Sequence, residues 1–208
     1  MLVFVFVEPD WNAPIDFNER LAATPAKANV RGMFLQLLMQ GLGPEATAQV
    51  RDRRYVAFKN YPMRDYIELL ALSCKSGQSR FSAAERVRQL GKAVYPNYAN
   101  TITGTAIFAV AGRNYRRVLE LCPAAYRIAS DVSEVTVRSI SDDHAVVELR
   151  NLWNLPDYHQ VGIFEGAMQV CGAQGNIRVQ TLGFGDADFD ITWRSAPSTS
   201  YKPRRSLY

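Results

Sequence analysis

The apolar residues of this sequence change period about two-thirds of the way along, and a chain that does so has to bury helices against a sheet. Val30, Met33, Phe34, Leu37, Leu38 and Leu42 recur at steps of three and four up to Gly43-Pro44, the spacing of one helix face. Pro62 opens a second such segment, with Met63, Tyr66, Ile67, Leu70 and Cys74 on one stripe and Gly77 as its stop. Ser82 and Glu85 have capping-box spacing ahead of Val87, Leu90 and Val94, a helix expected to run as far as Pro96. Asn100 is placed to cap "TITGTAIFAVAG", which Gly112 ends, and Asn114 to cap a helix with Tyr115, Val118, Leu119 and Cys122 on one stripe. Pro123 then disfavours helix at the residue before it and ends the segment.

Beyond this point the pattern alternates. Val135 and Val137 alternate with polar residues, "SDDH" makes a turn, and "AVVEL" returns as a second strand. Asp157 is placed to cap a helix carrying Val161, Phe164, Met168 and Cys171, in which Gly162 and Gly166 leave room for another backbone and Gly172 is the stop. "NIRVQTL", the turn "GFGD" and "DFDITW" make a second hairpin, whose Phe189, Ile191 and Trp193 should join Val135 and Val137 on the covered face. The fold class is therefore α+β: a helical N-terminal part followed by a four-stranded antiparallel sheet laid down as hairpin, helix, hairpin. A single domain is expected over 1–195, with a mainly helical subdomain (1–112), an α/β subdomain (113–195) and a flexible basic tail (196–208). The first subdomain begins with the strand "LVFVFV", apolar on both faces, which should seal a sheet edge or pair with a second copy in a homodimer.

Composition narrows the function classes. Of the net charge of +4, Lys202, Arg204 and Arg205 in the tail supply three units, so a nucleic-acid footprint is not expected. Cys74, Cys122 and Cys171 are odd in number and widely spaced, fitting neither a disulfide framework nor a Cys-x-x-Cys metal site. "MLVFVFVEPDW" lacks the basic start and apolar length of a signal peptide, and no segment has the roughly 18 apolar residues of a membrane span. A cytoplasmic protein without membrane or nucleic-acid partners is the expectation.

"ERLAATPAKANVRGMFLQLLMQGLG", "KNYPMRDYIELLALS", "AAERVRQLGKAVYPNY" and "GIFEGAMQVCGAQGNIRVQTLGFGDADFDITWR" resemble an uncharacterised paralogous domain family expanded in myxobacteria, most tellingly at Arg31-Gly32-Met33-Phe34 and "QLGKAVYP". That resemblance implies no activity. In plan, residues 113 to 193 are similar to the C-terminal half of haem nitric-oxide-binding domains and their haem-free, vinyl-reductase-like relatives. The haem domains carry a proximal His on a helix and a Tyr-x-Ser-x-Arg motif on the next strand. Here no His occurs between 113 and 143, and "VVELRNLW" supplies Arg150 without the tyrosine or serine.

Cys122 is the one substitute thiolate in the right region, with Arg116 and Arg117 nearby, but it also completes an apolar stripe as a buried cysteine does. Asp186, Asp188 and Asp190 imitate the start of a calcium loop, yet Ile191 and Pro197 stand where glycine and glutamate are required, so a solvated strand face is expected. His144 and His159 read as exposed or hydrogen-bonded, and Glu148 with Glu165 form an acid–base pair only if the fold brings them together. No nucleophile with an evident base appears. No metal and no cofactor is expected. The leading expectation is a non-catalytic sensory, small-ligand-binding or protein-interaction module; the alternatives are a homodimeric scaffold and an enzyme related to vinyl reductases. A pocket for a small apolar ligand is expected around Tyr115, Cys122, Tyr126, Arg150 and Trp153, residue types that also stand at the edges of cores.

Overall fold

The computed structural model describes residues 5–75, 80–99 and 111–195, with 101, 104, 105 and 109. The expected helix over 100–112 lies largely outside the described residues. So do Phe4 and its neighbours at the start of "LVFVFV", Gly77, and the 196–208 tail.

The helical part comprises α1 (Phe17–Ala23), α2 (Gly32–Gln40), α3 (Pro44–Val50), α4 (Met63–Lys75) and α5 (Ala83–Ala99). Asp16 caps α1 by accepting from the Asn18 and Glu19 amides, and Ser82 accepts from Glu85 N at 3.1 Å in the expected box. Two short strands, β1 (Asn29–Arg31) and β2 (Asn60–Pro62), pair antiparallel directly ahead of α2 and α4. Val30 and Pro62 thus belong to strands and not to first helical turns, because this ladder sets both helices side by side and tertiary pairing outweighs local spacing. Leu35, Leu38, Ile67, Leu69 and Leu70 bury against one another here.

α5 does not stop at Pro96 but runs through it to Ala99. A proline inside a helix removes the amide that would bond the carbonyl four residues earlier. That carbonyl, Lys92 O, lies against Gly166 of α8 (Val161–Cys171), so the crossing partner approaches where the helical bond is missing. Gly91 and Gly162 complete the crossing: a β-carbon on Gly162 would press into Arg88 O, and one on Gly91 into His159 O. The close approach expected of Gly162 and Gly166 is thereby realised against α5.

Asn114 caps α6 (Tyr115–Glu120) through Arg117 N at 3.1 Å, and α7 (Cys122–Ala129) follows after Leu121 alone. Pro123 therefore occupies the first turn of a new helix, where its missing N–H costs nothing, and does not end the old one. The sheet is β3 (Glu134–Ile140), β4 (His144–Arg150), β5 (Ala173–Gly183) and β6 (Asp186–Ser195), antiparallel in the order β3-β4-β6-β5. Ala145, Val147 and Leu149 pair with Ile191, Phe189 and Ala187, and all six are fully buried under α6 and α8. Phe164 meets Phe189 edge-on at 5.2 Å and Tyr115 meets Trp193 at 5.1 Å; Val135 and Val137 pack at the margin. This is the α+β architecture expected, with the predicted residues on the covered face.

The opposite sheet face differs from expectation. Asp188 and Asp190 are buried, 1% and 6% exposed, although they alternate with the core-facing Ala187, Phe189 and Ile191. Arg150 lies over Asp188 at 2.7 Å, and Asp190 accepts from Arg178 Nε at 3.0 Å and meets His144 Nε2 at 2.6 Å. Burial raises the Asp190 pKa, but the His144 and Arg178 hydrogen bonds outweigh it and leave the carboxyl below its ordinary value. At the β5 edge, Val7 exchanges two backbone hydrogen bonds with Val179, at 3.0 and 2.8 Å. The N-terminal segment thus reaches the edge of the sheet, as one of its two expected roles required, with Val5 and Val7 still more than half exposed.

Candidate functional site

Between β4 and α8 the chain takes a constrained path. Asn151 and Leu155 both adopt positive φ, 57° and 60°, which a leucine rarely does and which costs on the order of 1–3 kcal/mol. A π-helical turn, Pro156–Gln160, follows in place of the Asp157-capped start that was expected. Asp157 instead pairs with Arg20 of α1 at 2.5 Å, both side chains well buried. Leu152 N donates to Gly185 O at 2.7 Å, and the Trp153 ring packs on Gly185 in the β5–β6 turn. So held, the segment turns Leu152 and Asn154 toward the junction of the helical part with the α/β part.

A cavity of about 90 Å³ lies at this junction. Phe34, Tyr66, Tyr95, Tyr98, Tyr126 and Asn154 line it, with Ser130, Leu152 and apolar groups from β1, α4, α5, α7 and α8 completing the wall and no charged residue among them. A second void of about 50 Å³ adjoins it behind Tyr95, Tyr98 and Tyr126, with Cys122 in its wall.

Beside the cavity is a buried polar chain. His159 is fully buried; its Nε2 lies 3.1 Å from the Tyr66 hydroxyl, and its Nδ1 lies 3.5 Å from Asn154 Nδ2. Asn154 Nδ2 also donates to Gln160 Oε1 at 3.4 Å. Burial pushes the His159 pKa down to about 3, so the ring is neutral. Burial likewise raises the Tyr66 and Tyr126 hydroxyls, the second against a restraining contact from Gln160. Asn154 is 7% exposed, yet its Oδ1 has no hydrogen-bond partner. Buried polar atoms are nearly always partnered, so this oxygen marks a place where a partner belongs.

Of the five residues expected to form a pocket, Tyr126 lines both voids and Cys122 the smaller one. Tyr115 is sheet core, its hydroxyl donating to Phe164 O at 3.3 Å. Arg150 lies on the outer sheet face, and Trp153 packs toward the hairpin turn and the helical core. The fold does not bring these three to the cavity. Glu148 and Glu165 are also apart: Glu165 is clamped by Arg88 at 2.6 and 2.7 Å, and Glu148 faces Arg138 on the sheet. In the sequence His159 falls in an ordinary first helical turn, Tyr66 on an apolar helix stripe, and Asn154 and Gln160 carry no pattern that marks a site. The local signal for Asn154, His159 and Gln160 is the polar "NLPDYHQ" breaking into apolar surroundings, and Tyr66 carries none. Among the described residues no group of three or more metal-ligating side chains converges, and no helix is long and apolar enough to cross a membrane.

Solved structures show where this architecture recurs. An H-NOX protein from S. oneidensis has a TM-score of 0.66 at 12% identity, over 81% of this chain and 98% of its own. The Fe(II) unliganded H-NOX protein from K. algicida has 0.63 at 9% identity, over 80% and 97%. A double variant of the Tt H-NOX has 0.61 at 15%, over 83% and 98%. At such identities the likeness is one of fold. Another solved structure concerns heme distortion in the H-NOX family, so the cavity can be tested against that group. The residues here do not fit a haem. The cavity is far below the roughly 300–1,000 Å³ of sites for larger ligands. Burial pushes the Cys122 thiol up to about 12, and its Sγ donates to Val118 O at 3.5 Å, so it is not a thiolate ligand. His159 does not line the cavity and is engaged by Tyr66 and Asn154. No curated protein matches the chain. Over residues 23–194, most of its length, it matches the family described as "Protein of unknown function (DUF2378)", and the chain belongs to that family.

Proposed function

We propose that this chain is a haem-free sensory module that holds a small, uncharged, largely apolar ligand in the cavity between its helical part and its α/β part. The observation that carries the reading is the cavity itself, walled by four tyrosines, a phenylalanine and aliphatic groups, with Asn154 and Ser130 the small polar side chains. Apolar walls with a few placed polar groups are the usual make-up of small-molecule sites. The H-NOX-like fold supports the sensory half of the proposal: α5 and α8, which cross through Gly91, Gly162 and Gly166, both reach the cavity, so a ligand between the parts acts on the packing of the whole molecule. The proposal includes no catalytic step.

The test is titration of the purified protein with benzene, followed by amide chemical shifts. A void of about 150 Å³ takes benzene, and this cavity of about 90 Å³ approaches that size where it opens into the adjoining void of about 50 Å³. Saturable shifts confined to Leu152, Asn154, Ile163 and the α5 segment from Val94 to Tyr98 are expected. Shifts that do not saturate, or that scatter over the surface, would refute the proposal. A second reading, a homodimer joined at the sheet edge, draws on the half-exposed Val5 and Val7 beside β5. Light scattering of the same sample decides it.

A further inference from the structure

Between α3 and β2 the chain presents an apolar tip to solvent. Lys59 N donates to Val56 O at 3.1 Å, closing a turn with Ala57 and Phe58 at its centre. Such central positions normally hold Gly, Pro, Asn, Asp or Ser, yet Phe58 is 70% exposed, and Val56 62%. The turn is firmly anchored: Gly32 N donates to Lys59 O and Met33 N to Ala57 O, both at 2.9 Å, and Val56 N donates to the Tyr61 hydroxyl at 2.8 Å. Exposure alternates along it, with Arg54, Val56 and Phe58 outward and Tyr55 and Ala57 turned toward the protein. Ile128 of α7, 40% exposed, stands beside Phe58, because the Arg31 guanidinium donates to both carbonyls, Ile128 O at 3.3 Å and Phe58 O at 3.2 Å. Three large apolar side chains thus form one exposed patch on a fixed base.

Positive charge borders this patch. The stretch from Arg51 to Lys59 holds Arg51, Arg53, Arg54 and Lys59 against Asp52 as its one acid, and Arg127 is the exposed neighbour of Ile128. The acids nearby are engaged within the protein: Asp52 faces Arg51 at 3.7 Å, Glu68 takes Arg53 at 2.8 Å, Asp131 takes Arg31 at 3.0 Å, and Asp65 accepts from the Tyr55 hydroxyl at 3.3 Å. Among the described residues Arg54, Lys59 and Arg127 pair with no carboxylate, and Lys59 lies over the Tyr61 ring. We propose that this face docks on an anionic lipid surface, with Val56, Phe58 and Ile128 entering the headgroup layer and Arg54, Lys59 and Arg127 meeting the lipid phosphates and carboxylates. An apolar tip bordered by cations matches that partner, because interfacial binding adds apolar burial to attraction by anionic lipids. A protein partner would have to offer a hollow shaped for the turn, whereas a lipid layer yields to it. Contact of this kind needs no spanning helix, and it revises the expectation, drawn from the lack of a span, that the chain meets no membrane.

The test is co-sedimentation of the full chain with vesicles of equal parts phosphatidylserine and phosphatidylcholine, against vesicles of phosphatidylcholine alone. Each Lys or Arg near an anionic surface contributes about fivefold in partitioning, so the three unpaired cations should favour the mixed vesicles by about 100-fold at low salt. That preference should collapse at about 1 M salt, where the screening length shortens to about 3 Å. Phe58→Ser, a change at an exposed position, should leave the melting temperature unchanged and lower partitioning by about tenfold. Arg54→Glu combined with Lys59→Glu should remove the preference for the mixed vesicles. Equal partitioning onto both kinds of vesicle, or a Phe58→Ser protein that partitions as the parent does, would overturn the proposal. So would binding to poly-glutamate as tight as to the mixed vesicles, which marks an acidic protein as the partner. A lipid-free dimer that Phe58→Ser dissociates, read by light scattering, would overturn it too by placing a second copy on the patch.

Discussion

Replacing Gly91 by alanine sets two effects of known size against each other. In a helix interior alanine is favoured over glycine by about 0.8–1.0 kcal/mol, so on α5 alone the change stabilises. Against that, a β-carbon at Gly91 would lie on His159 O, at 3.0 Å from His159 C and 3.2 Å from Ile163 N. All three are backbone atoms, and no side-chain rotation relieves the contact. The π-turn and the start of α8 have to move away from α5, the situation in which overpacking costs about 1–3 kcal/mol or more, here at the upper end. The net expectation is a loss of about 2 kcal/mol, which for a chain of this length lowers the melting temperature by about 4–8 °C. Thermal unfolding followed by circular dichroism measures it, with Gly183→Ala, where an added β-carbon meets nothing within 4 Å, as the control. The displacement also moves Ile163 in the cavity wall, so benzene affinity should fall beyond what the stability loss accounts for. A Gly91→Ala protein that melts at or above the parent temperature would refute the argument that the crossing is held by backbone contact.

Four further outcomes follow from the buried groups and the sheet edge. His159 has a folded pKa of about 3 against about 6.5 in an unfolded chain, so between these values the unfolded state binds the extra proton and stability falls as pH drops. Chemical denaturation from pH 7 to pH 4 should show this slope, and His159→Gln should flatten it; an unchanged slope would contradict burial of the neutral ring. Asp190 adds a separate loss below the ordinary carboxylate range, because its folded pKa is depressed and its contribution disappears as pH falls through it. Cys122, buried and held protonated, should be alkylated at pH 8 only on denaturation; mass-mapped labelling at the rate of a free thiol would show the α6–α7 stripe to be open. Deleting residues 1–8 removes the Val7–Val179 bonds from the β5 edge and should lower the melting temperature by a few degrees or raise the apparent mass. A deletant unchanged in both would show that the segment does not protect the edge.

Local chemistry dictated much of the architecture. The switch from three-and-four spacing to alternation placed both hairpins and the helix between them, since a one-residue slip would expose Phe189, Ile191 and Trp193 together. Ser82, Asn114 and Gly172 marked helix ends because capping and the left-handed conformation are decided within a few residues. The family resemblance was likewise legible in contiguous stretches such as "QLGKAVYP". The site was not, because its parts are remote in sequence. Tyr66 and His159 meet across 93 residues, and nothing near either one signals the other. Asn154 becomes a cavity residue only because Asn151 and Leu155 are forced to positive φ, a conformation that neighbouring contacts impose against local preference. Asp188 and Asp190, polar by every local criterion, are buried because Arg150, Arg178 and His144 on adjacent strands close over them. Pro96 stays within α5 for the same kind of reason: Gly166 of a distant helix occupies the place where its lost hydrogen bond would have mattered. Periodicity and caps act over one or two turns of chain, whereas the cavity and its unpaired atoms exist only where separately specified elements fail to fill the space between them.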